Sequence, residues 1–279
     1  MNGDGSVSLR DRTILMSGGS RGIGLAIALR AARDRANVAL LAKTDRPHPR
    51  LAGTIHTAAA HIEAAGGSAL AIVGDVRDAA SIEAAVEATI ERFGGIDIVV
   101  NNASAIDLTG STDLAVKKFD LMQQIEVRGT FLLTRAAVPH LRKSDHAHIL
   151  TLSPPLNLSK KWLGAHVGYM LAKYGMTLAA LGFAAEFEND MIASNTLWPR
   201  TAIATAAVQN LLGGDEAMRR SRTPEIMADA AHAILGRAPM EQTGQTLIDD
   251  EVLAAIGMTD LSAYQYGDGA ELVPDFFLD

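Results

Sequence analysis

The chain has no cysteine among its 279 residues. That excludes disulfide bonds and thiol catalysis, and it suits a reducing compartment such as the cytoplasm. Positive charge is also scarce. Against 32 aspartates and glutamates stand 25 lysines and arginines, a net charge of −7. A surface of that sign argues against nucleic acid or an anionic membrane as a partner. No uninterrupted apolar run approaches the roughly 20 residues that a membrane-spanning helix needs, so no span is expected. The polar start, MNGDGSVSLRDR, lacks the apolar stretch of a secretory signal, and the final Phe-Leu-Asp is not a peroxisomal address. Internal repeats and interdomain linkers are missing too. Hydrophobic residues, at 48%, are plentiful enough for a globular core.

Short branched apolar runs alternate with longer alanine-rich stretches of helical period. Strands are predicted at Thr13–Ser17, Asn37–Ala42, Ala69–Val73, Ile96–Asn101, Ala147–Ser153, Ile192–Trp198 and Gln245–Asp249. Helical patterns fall near 22–34, 54–65, 79–93, 113–140, 166–189 and 223–236. Strands that are apolar throughout predict a parallel sheet buried on both faces. The βαβ alternation predicts an α/β fold, a single Rossmann-type doubly wound sheet of about seven strands flanked by helices. The expected division is a tail over 1–9, one domain over 10–250 and an extension over 251–279 that packs on the body or on a neighbouring subunit. The proline-rich, basic stretch 44–53 is expected to be an irregular excursion.

Two local patterns carry chemistry. After the first strand the chain reads Ser17-Gly18-Gly19-Ser20-Arg21-Gly22-Ile23-Gly24. Gly18 permits a tight turn, Gly22 lets backbone approach a diphosphate, and Gly24 allows close helix–strand packing. The following helix start would offer free N–H groups to an anion. The plain alternative is a structural turn. Further on, Tyr169 and Lys173 are four residues apart, on one face if helical. An ammonium beside a phenol would lower its pKa from about 10 and ready it for proton exchange.

The three-residue gap from Gly18 to Gly22 resembles the TGxxxGIG turn of the short-chain dehydrogenase/reductase superfamily, with Ser17 replacing threonine. Further motifs follow in order: Asp75-Val76, Asn101-Asn102-Ala103, Ser153, Tyr169 and Lys173. The resemblance covers about residues 10–250. It implies hydride exchange between a nicotinamide and a small-molecule carbonyl or alcohol. Tyr169 would be the general acid–base, Lys173 would tune it and bond the nicotinamide ribose, and Ser153 would hydrogen-bond the substrate oxygen. Asp75 would lie near the adenine amino group with Val76 on the ring, while Asn101, Asn102 and Ala103 would line the cofactor cleft and secure the central strand. Ser20, Arg21 and Ile23 belong to the glycine turn, and Pro199, Thr201 and Ile203 would border the nicotinamide carboxamide. Alternatives stay open for Asp75 as a helix cap and for Ser153 as a partner of strand-end backbone. No metal site is expected.

Cofactor choice is read at the end of the second strand. An acid there would bind ribose hydroxyls. Instead the chain has Ala42 and Lys43, and Arg21 adds a second cation in the turn. A 2′-phosphate would be attracted by both, so NADP(H) is expected over NAD(H). Solvated side chains are the alternative, and Asp45 stands close by.

Three departures from the superfamily pattern stand out. Ser153 precedes Tyr169 by sixteen residues, which implies an enlarged loop around Pro154-Pro155-Leu156-Asn157-Leu158. Glu126 aligns with an asparagine that in the family holds a relay water, largely through its backbone carbonyl. Arg200 follows Pro199 where glycine is usual. The Glu126 and Arg200 departures support the alternative of a non-catalytic NADP(H)-binding sensor or assembly protein. The gap between the first glycines argues against an epimerase or dehydratase.

Ala42-Lys43-Thr44, residues 149–158, residues 197–203 and Pro274-Asp275-Phe276-Phe277-Leu278-Asp279 resemble the hydroxysteroid dehydrogenase-like branch of the superfamily. Some members add a sterol-carrier domain, which a chain of this length is expected not to hold. The branch implies a homodimer or homotetramer built from the helices at 113–140 and 166–189. Apolar residues Leu156, Leu158, Trp162, Leu163, Leu211 and Leu212 suggest a lipid-like substrate. His146 and His148 read as surface or strand-entry residues, not as metal ligands. Asp249-Asp250-Glu251 reads as a solvated strand end.

Overall fold

A computed structural model describes residues 8–47 and 53–279. Most of the expected tail and part of the 44–53 excursion lie outside the described residues. Strand β1 (Thr13–Ser17) leads to α1 (Gly22–Arg33), β2 (Asn37–Ala42), α2 (Ile55–Ala64), β3 (Ser68–Val73) and α3 (Ala79–Phe93). Then come β4 (Ile98–Asn101), α4 (Val116–Gln123), a π-helical turn (Gln124–Arg128), α5 (Gly129–Leu141) and β5 (His148–Thr151). Next are α6 (Lys160–Gly164), α7 (Val167–Glu186), β6 (Ala193–Trp198), α8 (Ala206–Leu211) and α9 (Gly214–Arg219). The chain closes with α10 (Glu225–Leu235), β7 (Thr246–Ile248) and α11 (Asp249–Ala255).

The strands form one seven-stranded sheet in the order β3-β2-β1-β4-β5-β6-β7. Every adjacent pair is parallel. All five residues of β1 are buried, which explains why its sequence shows no polar alternation. The α1 and α10 side of the sheet forms one core, with Ile14, Val38 and Ile98. The α3 and α5 side forms another, with Leu15, Val99 and Ile149. Strand order reverses between β1 and β4, which opens a crevice at the carboxyl ends of these strands.

Caps set several boundaries. Thr54 accepts from Thr57 N in a capping box before α2. Asp78 accepts from Ala80 N and Ser81 N before α3, so the helix cap considered for Asp75 belongs to Asp78. The helical pattern over 113–140 is not one helix. It is interrupted by the π turn that carries Glu126. Such turns recur at functional sites because the extra residue re-aims a side chain.

Two expectations change. His146 and His148 stand at the entry to β5, one of the two readings given to them, but both are buried and neither is a surface residue. Their Nε2 atoms contact the carbonyls of Leu235 and Arg237 at 2.6 and 3.1 Å, tying β5 to the end of α10. Asp249 is fully buried at the start of α11 and accepts from Arg200 N at 2.8 Å. Arg200 turns its guanidinium to Asp250 and Glu251, so the acidic run is an ion-paired helix start.

Candidate active site

The crevice is a cleft of about 690 Å³. Its first wall is the turn between β1 and α1. Gly18 has φ +75° and Gly22 has φ +58°, the left-handed region that glycine adopts without a side-chain clash. At Gly22 a side chain would find room; the constraint there is conformational. At Gly24 the constraint is space. A Cβ there would stand 2.5 Å from Asn102 Nδ2 and 2.9 Å from the Gly18 carbonyl. Asn102 holds the turn by donating from Nδ2 to Gly18 O at 2.9 Å and Ser17 O at 3.2 Å. Ser17 Oγ accepts from the N–H groups of Asn102 and Ala103. Helix α1 starts after Arg21 with no side-chain cap, leaving its first N–H groups for the cleft or for a ligand there.

The second wall lies at the ends of β2 and β3. Arg21, Ala42, Lys43, Asp75 and Val76 all line the cleft. Arg21 donates to Gly53 O at 2.8 Å. Asp75 is gripped by the Arg77 guanidinium, with Nη2 at 2.6 Å, and Lys43 Nζ stands 3.6 Å away. The Arg77 hydrogen bonds, with Lys43 nearby, hold its carboxyl down at about 2 against the opposing effect of burial. Asp45 is engaged by His56 at 2.8 Å. Asn101, expected to line the cleft, does not reach it; its side-chain amide donates instead to Thr134 on α5 and Thr151 on β5.

Tyr169 and Lys173 line the far end, one turn apart on α7. Both are buried. Lys173 Nζ donates to the Leu152 carbonyl at 3.1 Å and lies 5.3 Å from the Trp198 ring centre. Burial pushes the Tyr169 phenol well above its ordinary range, and the charges of Glu126 and Asp275 add to that. The lowering expected from Lys173 is not found; burial and the two acids all act upward on the phenol. Burial also pulls the Lys173 ammonium down, opposed by Glu126 and Asp275. Ser153 is fully buried just beyond β5, 3.0 Å from Thr177 Oγ1. Ser20, Gly22, Ile23, Asn102, Ala103, Pro199 and Ile203 line the cleft; Gly24, Ser153 and Thr201 lie behind its surface.

Glu126 is fully buried. One carboxyl oxygen accepts from Ser104 Oγ at 2.9 Å and Ala105 N at 3.0 Å, and the other has no hydrogen-bond partner. Burial raises its pKa, while Lys173 and the two hydrogen bonds oppose.

Sequence reasoning missed the part played by the C-terminal segment. Asp275 and Phe276 line the cleft beside Tyr169. Phe277 packs within 6.1 Å of Tyr169, 6.2 Å of Trp198 and 5.6 Å of Trp162, ring centre to ring centre. The segment is held by Asp275 N to Arg200 O, Trp198 Nε1 to Phe276 O, and Trp162 Nε1 to Asp279. The only sequence signal was an apolar ending with one acid inside it. Of the six apolar residues read as pocket lining, Leu211 and Leu212 line the cleft. Leu158 and Leu163 are exposed, and Trp162 packs in the aromatic cluster under the C-terminus. Among the described residues no cluster of ligands fits a metal ion, and no helix is long and apolar enough to cross a membrane.

Comparison with known proteins places these features in a family. A family model described as short chain dehydrogenase matches residues 12–214. Hydroxysteroid dehydrogenase-like protein 2 of Danio rerio is 55% identical over 267 residues, 96% of this chain and 64% of that protein. The Homo sapiens protein of the same name is 51% identical over 96% of this chain and 63% of its own length. The chain thus spans less than two thirds of these relatives. A putative dehydrogenase structure from Xanthomonas campestris superposes with a TM-score of 0.95 at 55% identity, covering 98% of this chain and all of that one. A short-chain dehydrogenase structure from Mycobacterium thermoresistibile gives 0.93 at 59% identity, covering 98% and 96%.

Proposed function

The chain belongs to the short-chain dehydrogenase family, in its hydroxysteroid dehydrogenase-like branch, and from that premise we propose that it is an NADP(H)-dependent oxidoreductase of carbonyl and alcohol groups. The observation that carries this reading is the convergence of the glycine turn with Tyr169 and Lys173 on one cleft. The cleft suits a dinucleotide on its own geometry. Gly18 and Gly22 hold the turn in conformations open to glycine, and the uncapped start of α1 faces it. Gly18, Ser20, Arg21, Gly22 and Ile23 would hold the diphosphate, Asp75 and Val76 the adenine, and Pro199 and Ile203 the nicotinamide end. When bound, the nicotinamide supplies or accepts hydride.

Tyr169 holds the proton. Its raised pKa keeps the phenol protonated, the state that donates to a carbonyl oxygen during reduction. Lys173, anchored on Leu152 O one turn from Tyr169, would bond the ribose. Ser153, next in the chain to Leu152, is assigned the hydrogen bond to the substrate oxygen, which requires it to come forward from behind the cleft surface, where its hydroxyl accepts from Thr177. Trp198 and Phe276 line this end, where their apolar rings would limit access of water.

Preference for NADP(H) is supported by Arg21 and Lys43 on the rim and by Ala42 where an acid would bind ribose hydroxyls. Asp45, the nearest acid along the chain, does not line the cleft. The apolar lining of Ile106, Val208, Leu211, Leu212 and Phe276 supports an apolar, lipid-like substrate. A homo-oligomer is supported by Phe131, Leu171 and Leu178, apolar yet exposed on α5 and α7. Absence of cysteine supports a cytoplasmic setting. The test is titration of the purified protein with NADPH and NADH by nicotinamide fluorescence, followed by a screen of aldehydes and ketones. Tighter NADPH binding and ketone- or aldehyde-dependent oxidation are expected. Failure to bind either nucleotide overturns the reading.

A further inference from the structure

The floor of the cleft holds more acid than the proposed chemistry uses. Lys173 is the one cation there among the described residues, and two carboxyl groups, Glu126 and Asp275, act on it electrostatically. Asp275 is not a loose surface group. Its backbone N–H donates to Arg200 O at 3.1 Å, Pro274 before it bridges to Thr201, and Trp198 Nε1 donates to Phe276 O at 3.0 Å. One carboxyl oxygen accepts from Phe276 N at 2.7 Å; the other has no hydrogen-bond partner among the described residues. The side chain lines the cleft together with Tyr169 and Lys173.

A carboxylate taken out of water needs a counter-charge. Lys173 can balance one of the two acids, not both. The remaining negative charge is either neutralised by a proton or matched by an incoming cation. In a hydride reaction the proton donor and the hydride carrier must reach the same carbon–oxygen bond, so a nicotinamide ring would lie beside Tyr169. That ring is positively charged when oxidised and neutral when reduced.

We propose that Asp275 is a cofactor-site residue that makes this cleft favour the oxidised, cationic nicotinamide over the reduced one. The inference rests on the reading of the cleft as a nicotinamide site. It bears on direction, because stabilising the oxidised form over the reduced one makes bound NADPH the stronger hydride donor and so favours carbonyl reduction on the enzyme. Burial, with Asp249 nearby, raises the Asp275 carboxyl to about 7 while Phe276 N–H and Lys173 oppose. The other charged or titratable groups around it are Tyr169 on α7, Glu126 beyond Lys173, and Asp249 at the start of α11, itself faced by Arg222. As pH rises through about 7 Asp275 becomes charged, so preference for the oxidised form should grow.

The experiment is calorimetric titration of the purified protein with NADP⁺ and with NADPH, compared as a ratio of Kd values. The adenosine, diphosphate and 2′-phosphate are common to both, so the ratio isolates the ring. In Asp275→Asn the preference for NADP⁺ should fall on the order of tenfold, the effect of one charge within a few ångströms. Asp279→Asn is the control on the same segment. That carboxylate bonds to Asn157 and Trp162 outside the cleft lining, and its loss should leave the ratio unchanged. Should Asp275→Asn fail to fold, Asp275→Ser removes the same charge and is read in the same way. Binding of both forms with a ratio indifferent to loss of the Asp275 charge overturns this inference alone. Binding of neither overturns the cofactor reading and this inference with it.

Discussion

The side-chain amide of Asn102 donates to the carbonyl of Gly18 at 2.9 Å, joining the loop after β4 to the glycine turn after β1. The same amide nitrogen occupies the space that a Cβ at Gly24 would need. Gly24→Ala should therefore displace Asn102 and loosen the turn. A loss of about 1–3 kcal/mol in stability is expected from urea unfolding, the usual range for overpacking. Nucleotide affinity should fall at the same time. An unchanged midpoint with unchanged affinity would contradict the steric argument.

Removing the phenol proton should stop turnover without closing the cleft. Tyr169→Phe keeps the buried ring against Phe277 and loses only the hydroxyl. Turnover with any carbonyl substrate accepted by the wild type should drop about 10²- to 10⁴-fold, with nucleotide binding within about twofold. Retained turnover would remove Tyr169 from the proton-donor role.

Cofactor choice should reside in the rim cations. In the double variant Lys43→Ala, Arg21→Ala the NADPH/NADH affinity ratio should fall about 10- to 100-fold, the loss of one or two charge-assisted contacts to a phosphate. NADH affinity itself should change little. A ratio that stays constant would show that Arg21 serves only the loop around Thr44 and Gly53 and Lys43 only Asp75.

His148 should make the fold acid-sensitive. Burial, and to a lesser degree the neighbouring His146, pushes its pKa down to about 3. The folded state therefore holds it neutral. Its contribution to stability is complete above the unfolded value of about 6.5 and is lost as pH falls below that. Between pH 7 and about pH 5 the wild type should lose roughly 2 kcal/mol more than His148→Gln, measured by urea unfolding at both values. Equal losses would place the acid sensitivity elsewhere.

Several features escaped a reading of sequence because they depend on neighbours distant in the chain. His146 and His148 look polar at a strand start, yet carbonyls at the end of α10 give them partners and let them be buried. Asp249 looks solvated, yet it is buried, with the backbone N–H groups of Arg200 and Asp250 donating to one carboxyl oxygen and the other oxygen without a partner among the described residues. The 113–140 stretch has unbroken helical period, and only packing around Glu126 places a π turn within it. Lys173 was expected to lower the Tyr169 pKa; the depth of burial, set by the segment 274–279, decides the opposite sign.

Order and spacing along the chain were sufficient for the sheet, its parallel strands, the glycine turn and the Tyr169–Lys173 pair. Those features are local or periodic, and the physics that specifies them acts within a few residues: glycine conformations, helical spacing, apolar runs. Tertiary structure alone decided the electrostatics of the cleft floor. Glu126, Lys173 and Asp275 are far apart in sequence, and their charges interact only because folding removes the water between them.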